Sequence, residues 1–120
     1  MPKSTPQPAL DVRLRQLRQR HQDCLAALAD CDLVIPGTVG TYARRCANLG
    51  CHCRADPPQL HGPYTLWTRP VDGKTVTVRL GPDQVAQIQQ WSDNMRRLRD
   101  CVRELRAIGA EAAQALLDAS

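Results

Sequence analysis

The chain of 120 residues has room for one small domain and leaves none for a large catalytic domain such as that of a tyrosine recombinase. Its 42% hydrophobic and 23% charged residues are typical of a globular protein, and no run reaches the roughly 18 apolar residues of a membrane helix. The formal charge of +4 is concentrated in residues 36–80, where six basic side chains outnumber two acidic ones, and this excess favours a polyanionic partner.

The N-terminus is polar and rich in proline, and it contains no apolar segment typical of a secretory signal. We therefore predict a disordered arm over residues 1–8 and a cytoplasmic location. In a reducing compartment, clustered cysteines more often bind metal than form disulfides.

A first helix is predicted over residues 9–35, because apolar and small residues recur there in alternating steps of four and three. This seam consists of Leu10, Leu14, Leu17, His21, Cys24, Leu28 and Cys31. The heptad spacing is typical of a helix that packs along another helix. His21 is interpreted as a buried polar residue of the seam, and Cys24 and Cys31 as packing residues.

Residues 36–81 are predicted to form a cysteine-rich β-unit, in which a short strand starting at Thr38 leads into four candidate metal ligands. These ligands are Cys46, Cys51, Cys53 and His61. Thiolate and imidazole are the ligands that tetrahedral zinc prefers, and a structural site needs four of them. We predict one structural zinc ion, with His52 as the alternative fourth ligand. Disulfide or redox pairing and unligated thiols remain open as alternatives.

A β-hairpin is predicted after the candidate ligands, because Asp72-Gly73 lies between two β-prone runs, Tyr64–Val71 and Lys74–Leu80. An Asp-Gly pair favours a two-residue type I′ turn. This turn sets the cross-strand pairs Leu66 with Arg79, Trp67 with Val78, Thr68 with Thr77, and Arg69 with Val76, and it predicts an apolar face of Trp67, Val76, Val78 and Leu80. Pro70 predicts that its strand lies at an edge of the sheet.

A second helix is predicted over residues 82–120. Its apolar seam is Ile88, Trp91, Met95, Leu98, Val102, Leu105, Ala112 and Leu116, with a break at Gly109. The predicted fold is therefore α+β, with an N-terminal helix, a small zinc-stabilised β-unit and a long C-terminal helix. We expect the two helices to pair as an antiparallel coiled coil or across a homodimer, because long exposed seams are rare on monomers.

Several motifs of the central region resemble a small, uncharacterised bacterial and archaeal family. They are Pro36-Gly37-Thr38-Val39, Arg45-Cys46, Gly50-Cys51-His52-Cys53-Arg54, His61-Gly62-Pro63-Tyr64 and Asp72-Gly73-Lys74-Thr75. The resemblance covers roughly residues 32–105, and its most specific part is Cys-x4-Cys-x-Cys followed by His-Gly-Pro-Tyr. It implies the order helix, cysteine-rich β-unit, helix, and an association with transposases or recombinases of mobile genetic elements. It implies no established activity.

The sequence predicts a binding protein rather than an enzyme, because its carboxylates are scattered and no nucleophile–base set stands out beside the candidate ligands. We predict DNA binding through one positive face of the β-unit. The residues expected there are Arg44, Arg45, Arg54, Arg69, Lys74, Arg79 and Tyr64, with Trp67 nearby. The expected partners are DNA and a transposase or recombinase. The alternative is a coiled-coil module for protein interaction or oligomerisation that makes no contact with DNA.

Overall fold

The computed structural model describes residues 8–120, so the predicted arm lies outside the described residues except for Pro8. The elements in chain order are helix α1 (Pro8–Ala26), strand β1 (Thr38–Arg44), a 3-10 turn (His52–Arg54), strands β2 (His61–Val71) and β3 (Lys74–Arg79), and helix α2 (Val85–Asp118). The prediction of an α+β fold with a helix at each end is confirmed.

The chain forms two compact units. Of the described residues, the helix unit contains 8–32 together with Arg96–Ser120, and the sheet unit contains Leu33–Met95, so α2 contributes residues to both. Among the described residues, no helix combines the length and the apolar character that crossing a membrane would require.

The predicted seam of α1 is confirmed by its pattern of burial. Leu17 is 1% exposed, and the seam positions before and after it in α1 are half-buried, whereas the other described side chains of the helix are exposed. The helix is shorter than predicted, because it ends at Ala26 rather than near residue 35. After Ala26, backbone hydrogen bonds between residues three apart replace the α-helical pattern. The Leu28 N–H, for example, donates to the Leu25 carbonyl oxygen. The Arg97 guanidinium donates to the Ala27 carbonyl oxygen at 2.6 Å and so satisfies a backbone acceptor that the ended helix leaves free.

The seam of α2 is partly different from the predicted one. Val102 and Leu116 are 45% and 57% exposed, whereas Cys101 and Ile108 are 7% and 4% exposed. The buried and half-buried positions continue in steps of four and three through Leu98, Cys101, Leu105, Ile108, Ala112 and Ala115, so the predicted break at Gly109 is wrong. Val102 and Leu116 are more hydrophobic than their neighbours Cys101 and Ala115, which explains why the predicted seam included them.

Contacts between α1 and the second half of α2 run antiparallel within the helix unit. Arg13 pairs with Glu111 at 2.8 Å, and Arg20 pairs with Glu104 and Glu111 at 2.9 Å. The bridging by Arg20 raises its own pKa and lowers that of the Glu111 carboxyl, mainly through side-chain hydrogen bonds. These groups are largely exposed, so they orient the helices more than they stabilise them.

The three strands form an antiparallel sheet in the order β1-β2-β3. The predicted hairpin register is confirmed at all four cross-strand pairs, including Trp67 with Val78 and Arg69 with Val76. Asp72 and Gly73 have φ values of 51° and 80°, as a type I′ turn requires. The predicted apolar face is less buried than expected, since Val78 is 41% exposed and Leu80 is the one member that is fully buried at 6%.

The prediction that Pro70 places its strand at an edge is wrong, because β2 is the central strand. Pairing with β1 extends only as far as Thr68, which lies opposite Thr38. Pro70 lies beyond this point and has a neighbour only on β3. The two-residue turn makes Val71 and Lys74 a hydrogen-bonded pair, so the next pair, Pro70 with Thr75, is a non-hydrogen-bonded one. The missing N–H of Pro70 therefore removes no bond from the sheet, which is why a central strand tolerates it.

A fully buried asparagine lies in the sheet unit. Asn94 is 1% exposed, its Nδ2 donates to the Leu33 carbonyl oxygen at 2.9 Å, and its Oδ1 accepts from Gln90 at 3.0 Å. These bonds satisfy a side chain whose burial would otherwise be costly. Both tryptophans and both tyrosines of the chain lie in this unit, which spans Leu33–Met95.

Two glycine substitutions are expected to change stability in opposite directions. A Cβ at Gly73 or at Gly109 would meet no heavy atom within 4 Å, so packing does not influence either result. Gly73→Ala forces a left-handed conformation at φ 80° and is expected to destabilise by about 1–2 kcal/mol. Gly109→Ala lies at an exposed position inside α2 and is expected to stabilise by about 1 kcal/mol. Urea denaturation followed by circular dichroism measures both changes, and a stabilising Gly73→Ala contradicts the turn assignment.

Candidate metal centre

The four predicted metal ligands lie together at one end of the sheet. Cys46 follows the last residue of β1 by two positions, and His61 is the first residue of β2. The pairing of Arg44 with His61 brings these two ends of the loop side by side. Cys51 and Cys53 come from the loop between the strands, where Cys53 lies in the 3-10 turn.

The ligand atoms have the spacing of a tetrahedral site. All four lie within 4.8 Å of one another. The Sγ atoms of Cys46 and Cys53 are 3.6 Å apart, and the Sγ of Cys51 is 3.2 Å from the Nε2 of His61. Two thiolates bound to one zinc at about 2.3 Å lie about 3.8 Å apart, whereas disulfide sulfurs lie about 2.05 Å apart. The cluster can therefore hold a metal ion, and its geometry does not match a Cys46–Cys53 disulfide.

Backbone hydrogen bonds shape the loop that carries these ligands. The Cys46 N–H donates to the Cys53 sulfur at 3.4 Å, and this bond lowers the pKa of the Cys53 thiol. A lower pKa favours the thiolate, which is the form that binds metal. Cys53 is also fully buried, at 0% exposure, so its sulfur faces the cluster rather than solvent.

Two residues that the sequence analysis did not single out as loop-forming also hold the loop. The Asn48 side-chain oxygen accepts from the Gly50 N–H at 3.0 Å, which is an Asx-type turn, and the Asn48 carbonyl accepts from Cys51 N–H at 3.1 Å. Arg54 donates to the Cys46 carbonyl oxygen at 2.7 Å. The signal for Asn48 is an asparagine two residues before a glycine, whereas the role of Arg54 has no local signal.

His61, and not the alternative His52, completes the cluster. The Nδ1 of His52 lies 3.8 Å from the Cys51 sulfur, and its ring centroid lies 5.4 Å from that of His61. In an extended segment, the side chain of His52 would point away from a site shared by Cys51 and Cys53. The segment is instead a 3-10 turn, which keeps His52 beside the cluster as an exposed neighbour.

The predicted nucleic-acid-binding residues on β2 and β3 lie on opposite faces of the sheet. Arg79 pairs with Leu66, whereas Arg69 pairs with Val76, and Lys74 pairs with Val71. Because successive side chains of a strand alternate between faces, Arg79 lies on one face and both Arg69 and Lys74 lie on the other. The prediction of a single positive face is therefore wrong.

One group of basic side chains lies around Tyr64, close to the candidate metal centre. The guanidinium of Arg79 is 4.1 Å from the Tyr64 ring centroid, and that of Arg44 is 5.8 Å from it. A recess of about 400 Å³ is lined by Arg44, Arg45, Cys46, His61 and Tyr64. We name Arg44, Arg45, Tyr64 and Arg79 the basic–aromatic patch.

The remaining basic side chains have other surroundings. The Arg69 guanidinium is 3.9 Å from the Trp67 ring centroid, and its Nη1 is buried without a hydrogen-bond partner. Trp67 itself donates from Nε1 to the Pro36 carbonyl oxygen at 2.8 Å. Lys74 is exposed at the hairpin turn.

Comparison with protein families matches residues 12–90 to a domain of unknown function, DUF6788. The chain belongs to this family. The match covers more than half of the chain, from α1 through the candidate metal ligands to the start of α2. It agrees with the resemblance to an uncharacterised family. No curated protein and no solved structure matches the chain.

Substitution of the ligands is expected to remove metal from this DUF6788 protein, whereas substitution of their neighbours is not. Cys51→Ser and His61→Ala break the four-ligand set, so metal content should fall from about one equivalent per chain to near zero. Cys31→Ser and His52→Ala are the matched controls, because neither residue belongs to the cluster. Elemental analysis after purification without chelator measures the content. Loss of metal from His52→Ala with retention in His61→Ala contradicts the ligand assignment.

Proposed function

We propose that the sheet unit is a zinc-stabilised nucleic-acid-binding module, and that the protein is an accessory factor of a mobile genetic element that assists a transposase or recombinase. Zinc is the metal that the donor set favours, because three thiolates and one imidazole make a closed, structural Cys3His site. A closed site leaves no open position for a catalytic water, so we assign the metal a structural role.

The observation that carries this proposal is the contrast in ion pairing between the two units. In the helix unit, Arg13, Arg20, Arg97 and Arg103 each lie against a carboxylate. Within residues 8–120, none of the six basic side chains of the sheet unit forms an ion pair. A unit in which every basic side chain lacks a carboxylate partner has the electrostatic footprint expected of a nucleic-acid-binding surface.

The basic–aromatic patch is the part of that surface we expect to contact phosphate. Arg44 and Arg79 lie against the Tyr64 ring, which limits their motion and leaves their N–H groups available to an anion. Arg45 lines the same recess as the metal ligands Cys46 and His61. Metal binding then supports nucleic-acid binding by fixing the loop next to these guanidinium groups.

The partner part of the proposal rests on the family resemblance and on the kind of contact available. Guanidinium contacts to phosphate position a protein on nucleic acid but do not read its sequence. An accessory factor with such a surface leaves the choice of site to its transposase or recombinase.

Removal of the two stacked arginines is expected to weaken DNA binding. Arg44→Ala combined with Arg79→Ala should lower affinity for unrelated duplex DNA at low salt. The slope of log K against log salt concentration should become shallower by about 0.9 for each phosphate that the variant no longer neutralises. Fluorescence anisotropy over a salt series measures both quantities.

The matched control is Arg99→Ala combined with Arg106→Ala, which removes the same charge from exposed positions of the helix unit. This control should keep the wild-type slope. Equal losses in both double variants indicate a general charge effect, and an absence of wild-type binding at low salt, with or without the recombinase, overturns the proposal.

A second candidate function is oligomerisation or protein interaction through the helix unit. Leu116 and Leu117 of α2 are 57% and 67% exposed, and Val12 of α1 is 43% exposed. Large exposed apolar side chains of this kind are a feature of surfaces that pack against another chain. A second copy of the chain, giving a homodimer, is the occupant we propose for them.

Polar substitution at the end of α2 is expected to weaken such a dimer. Leu116→Gln combined with Leu117→Gln should raise the dimer dissociation constant about tenfold, which corresponds to about 1.4 kcal/mol. Val71→Gln is the control, because this residue is 39% exposed in the sheet unit. Sedimentation equilibrium measures the constant, and a wild-type chain that stays monomeric at every concentration contradicts this second candidate.

A further inference from the structure

Two cysteines outside the metal centre face each other across the helix unit. The Sγ of Cys24 on α1 and the Sγ of Cys101 on α2 are 2.7 Å apart, and neither forms a disulfide. Each sulfur also lies near the backbone carbonyl oxygen of the other residue, at 3.5 Å and 3.4 Å. These reciprocal contacts show that the two backbones approach closely at this level of the helix pair.

The pair differs from the metal centre in both composition and spacing. Its sulfurs are much closer than the 3.6 Å that separates Cys46 from Cys53. In the described part of the chain, neither thiol belongs to a group of three or more metal-ligating side chains. Two thiols alone do not make the four-ligand set of a structural metal site, and a disulfide needs a shift of well under 1 Å from this separation.

We propose that Cys24 and Cys101 form a redox modification site, at which a reversible intramolecular disulfide joins α1 to α2. The site is separate from the metal centre and does not depend on the proposed nucleic-acid function. Its oxidant is a low-molecular-weight disulfide of the glutathione class.

The reaction proceeds by two thiol–disulfide exchanges. The Cys24 sulfur, as thiolate, attacks one sulfur of the oxidant, forms a mixed disulfide and releases one low-molecular-weight thiol. The Cys101 sulfur, after losing its proton, then attacks the Cys24 sulfur, forms the Sγ–Sγ bond and releases the second thiol. The two protein thiols lose two electrons and two protons, and the oxidant is reduced to two thiols.

Exposure sets the order of these steps. Cys24 is half-buried, whereas Cys101 is 7% exposed and so cannot meet the oxidant first. The hydrogen bond with Cys101, together with burial, raises the pKa of Cys24 to about 11. At neutral pH Cys24 is therefore almost entirely protonated, and the first exchange proceeds through its small thiolate fraction.

The disulfide would hold α1 against α2 by joining two residues that are far apart in the chain. Cys24 and Cys101 are 77 positions apart, so the disulfide closes a loop that contains the whole sheet unit. Cross-linking residues this far apart removes much of the freedom of the unfolded chain. It also prevents α1 from leaving its own α2 to pair with the α2 of a second copy.

The test uses the full-length, metal-loaded chain incubated with oxidised glutathione, followed by alkylation of free thiols and digestion with trypsin. Cleavage after arginine separates the three metal-binding cysteines from Cys101, but leaves Cys24 and Cys31 on one peptide. The expected product is that peptide linked to the short peptide carrying Cys101. It should form unchanged in Cys31→Ser, which assigns the bond to Cys24.

Oxidation is also expected to raise the melting temperature by about 10 °C, as a disulfide closing a long loop does in a small domain, and a reductant should reverse the shift. Cys24→Ser and Cys101→Ser should each lose the shift. Cys101→Ser should in addition retain a glutathione adduct on Cys24, because the second exchange is blocked. The proposal is overturned if Cys24 and Cys101 of the wild type are still free to be alkylated after incubation with oxidised glutathione. It is also overturned if the linked peptide disappears in Cys31→Ser, or if only the metal-binding cysteines are oxidised.

Discussion

Antiparallel pairing between β1 and β2 is the constraint on which the candidate metal centre depends. The pairing ends at Arg44 and His61, and the first and last ligands lie within two residues of these positions. Strand pairing thus brings the ends of the loop together without a metal, so the entropy of loop closure is lost in forming the sheet and not in binding the ion. A metal ion held by the cluster would then fix the part of the loop that the strands leave free, namely the turn that carries Cys51 and Cys53.

This arrangement also explains why basic side chains lie beside the candidate metal ligands. Arg44 is the last residue of β1, Arg45 lies between it and the first ligand, and Tyr64 follows the last ligand by three residues on β2. The strand register alone places any residue at these positions next to the cluster. The β1–β2 pairing that forms the site therefore also places Arg44, Arg45 and Tyr64 of the basic–aromatic patch, and the β2–β3 pairing adds Arg79.

Local chemistry made part of the fold predictable from the sequence. The Asp72-Gly73 turn fixed the register of β2 and β3, because a two-residue turn leaves one pairing available. The seam of α1 followed from its spacing alone. The central position of β2 was not predictable in this way, since it depends on a strand that pairs from across the metal loop. The choice of Cys101 over Val102 in α2 depends on the partner helix, and hydrophobicity alone selected the wrong one.

In the candidate site, too, some features were predictable from the sequence and others were not. Ligand chemistry identified the four residues of the cluster, and the structure brings them together. The two faces of the basic groups were implicit in the predicted register, because Arg69 and Arg79 alternate across the strands, but charge was counted without regard to this alternation. The contact of Arg54 with the Cys46 carbonyl crosses the folded loop and leaves no trace in the sequence.

The placement of the aromatic side chains has a practical consequence for following unfolding. Trp67, Trp91, Tyr42 and Tyr64 all lie in the sheet unit, so intrinsic fluorescence reports on that unit alone. Helical circular dichroism arises from α1 and α2 and is weighted towards the helix unit, which contains all of α1 and most of α2. The two optical signals therefore observe different parts of one molecule. Coincident transitions would show that both units unfold as a single cooperative structure, and separate transitions would give each unit its own stability in one sample.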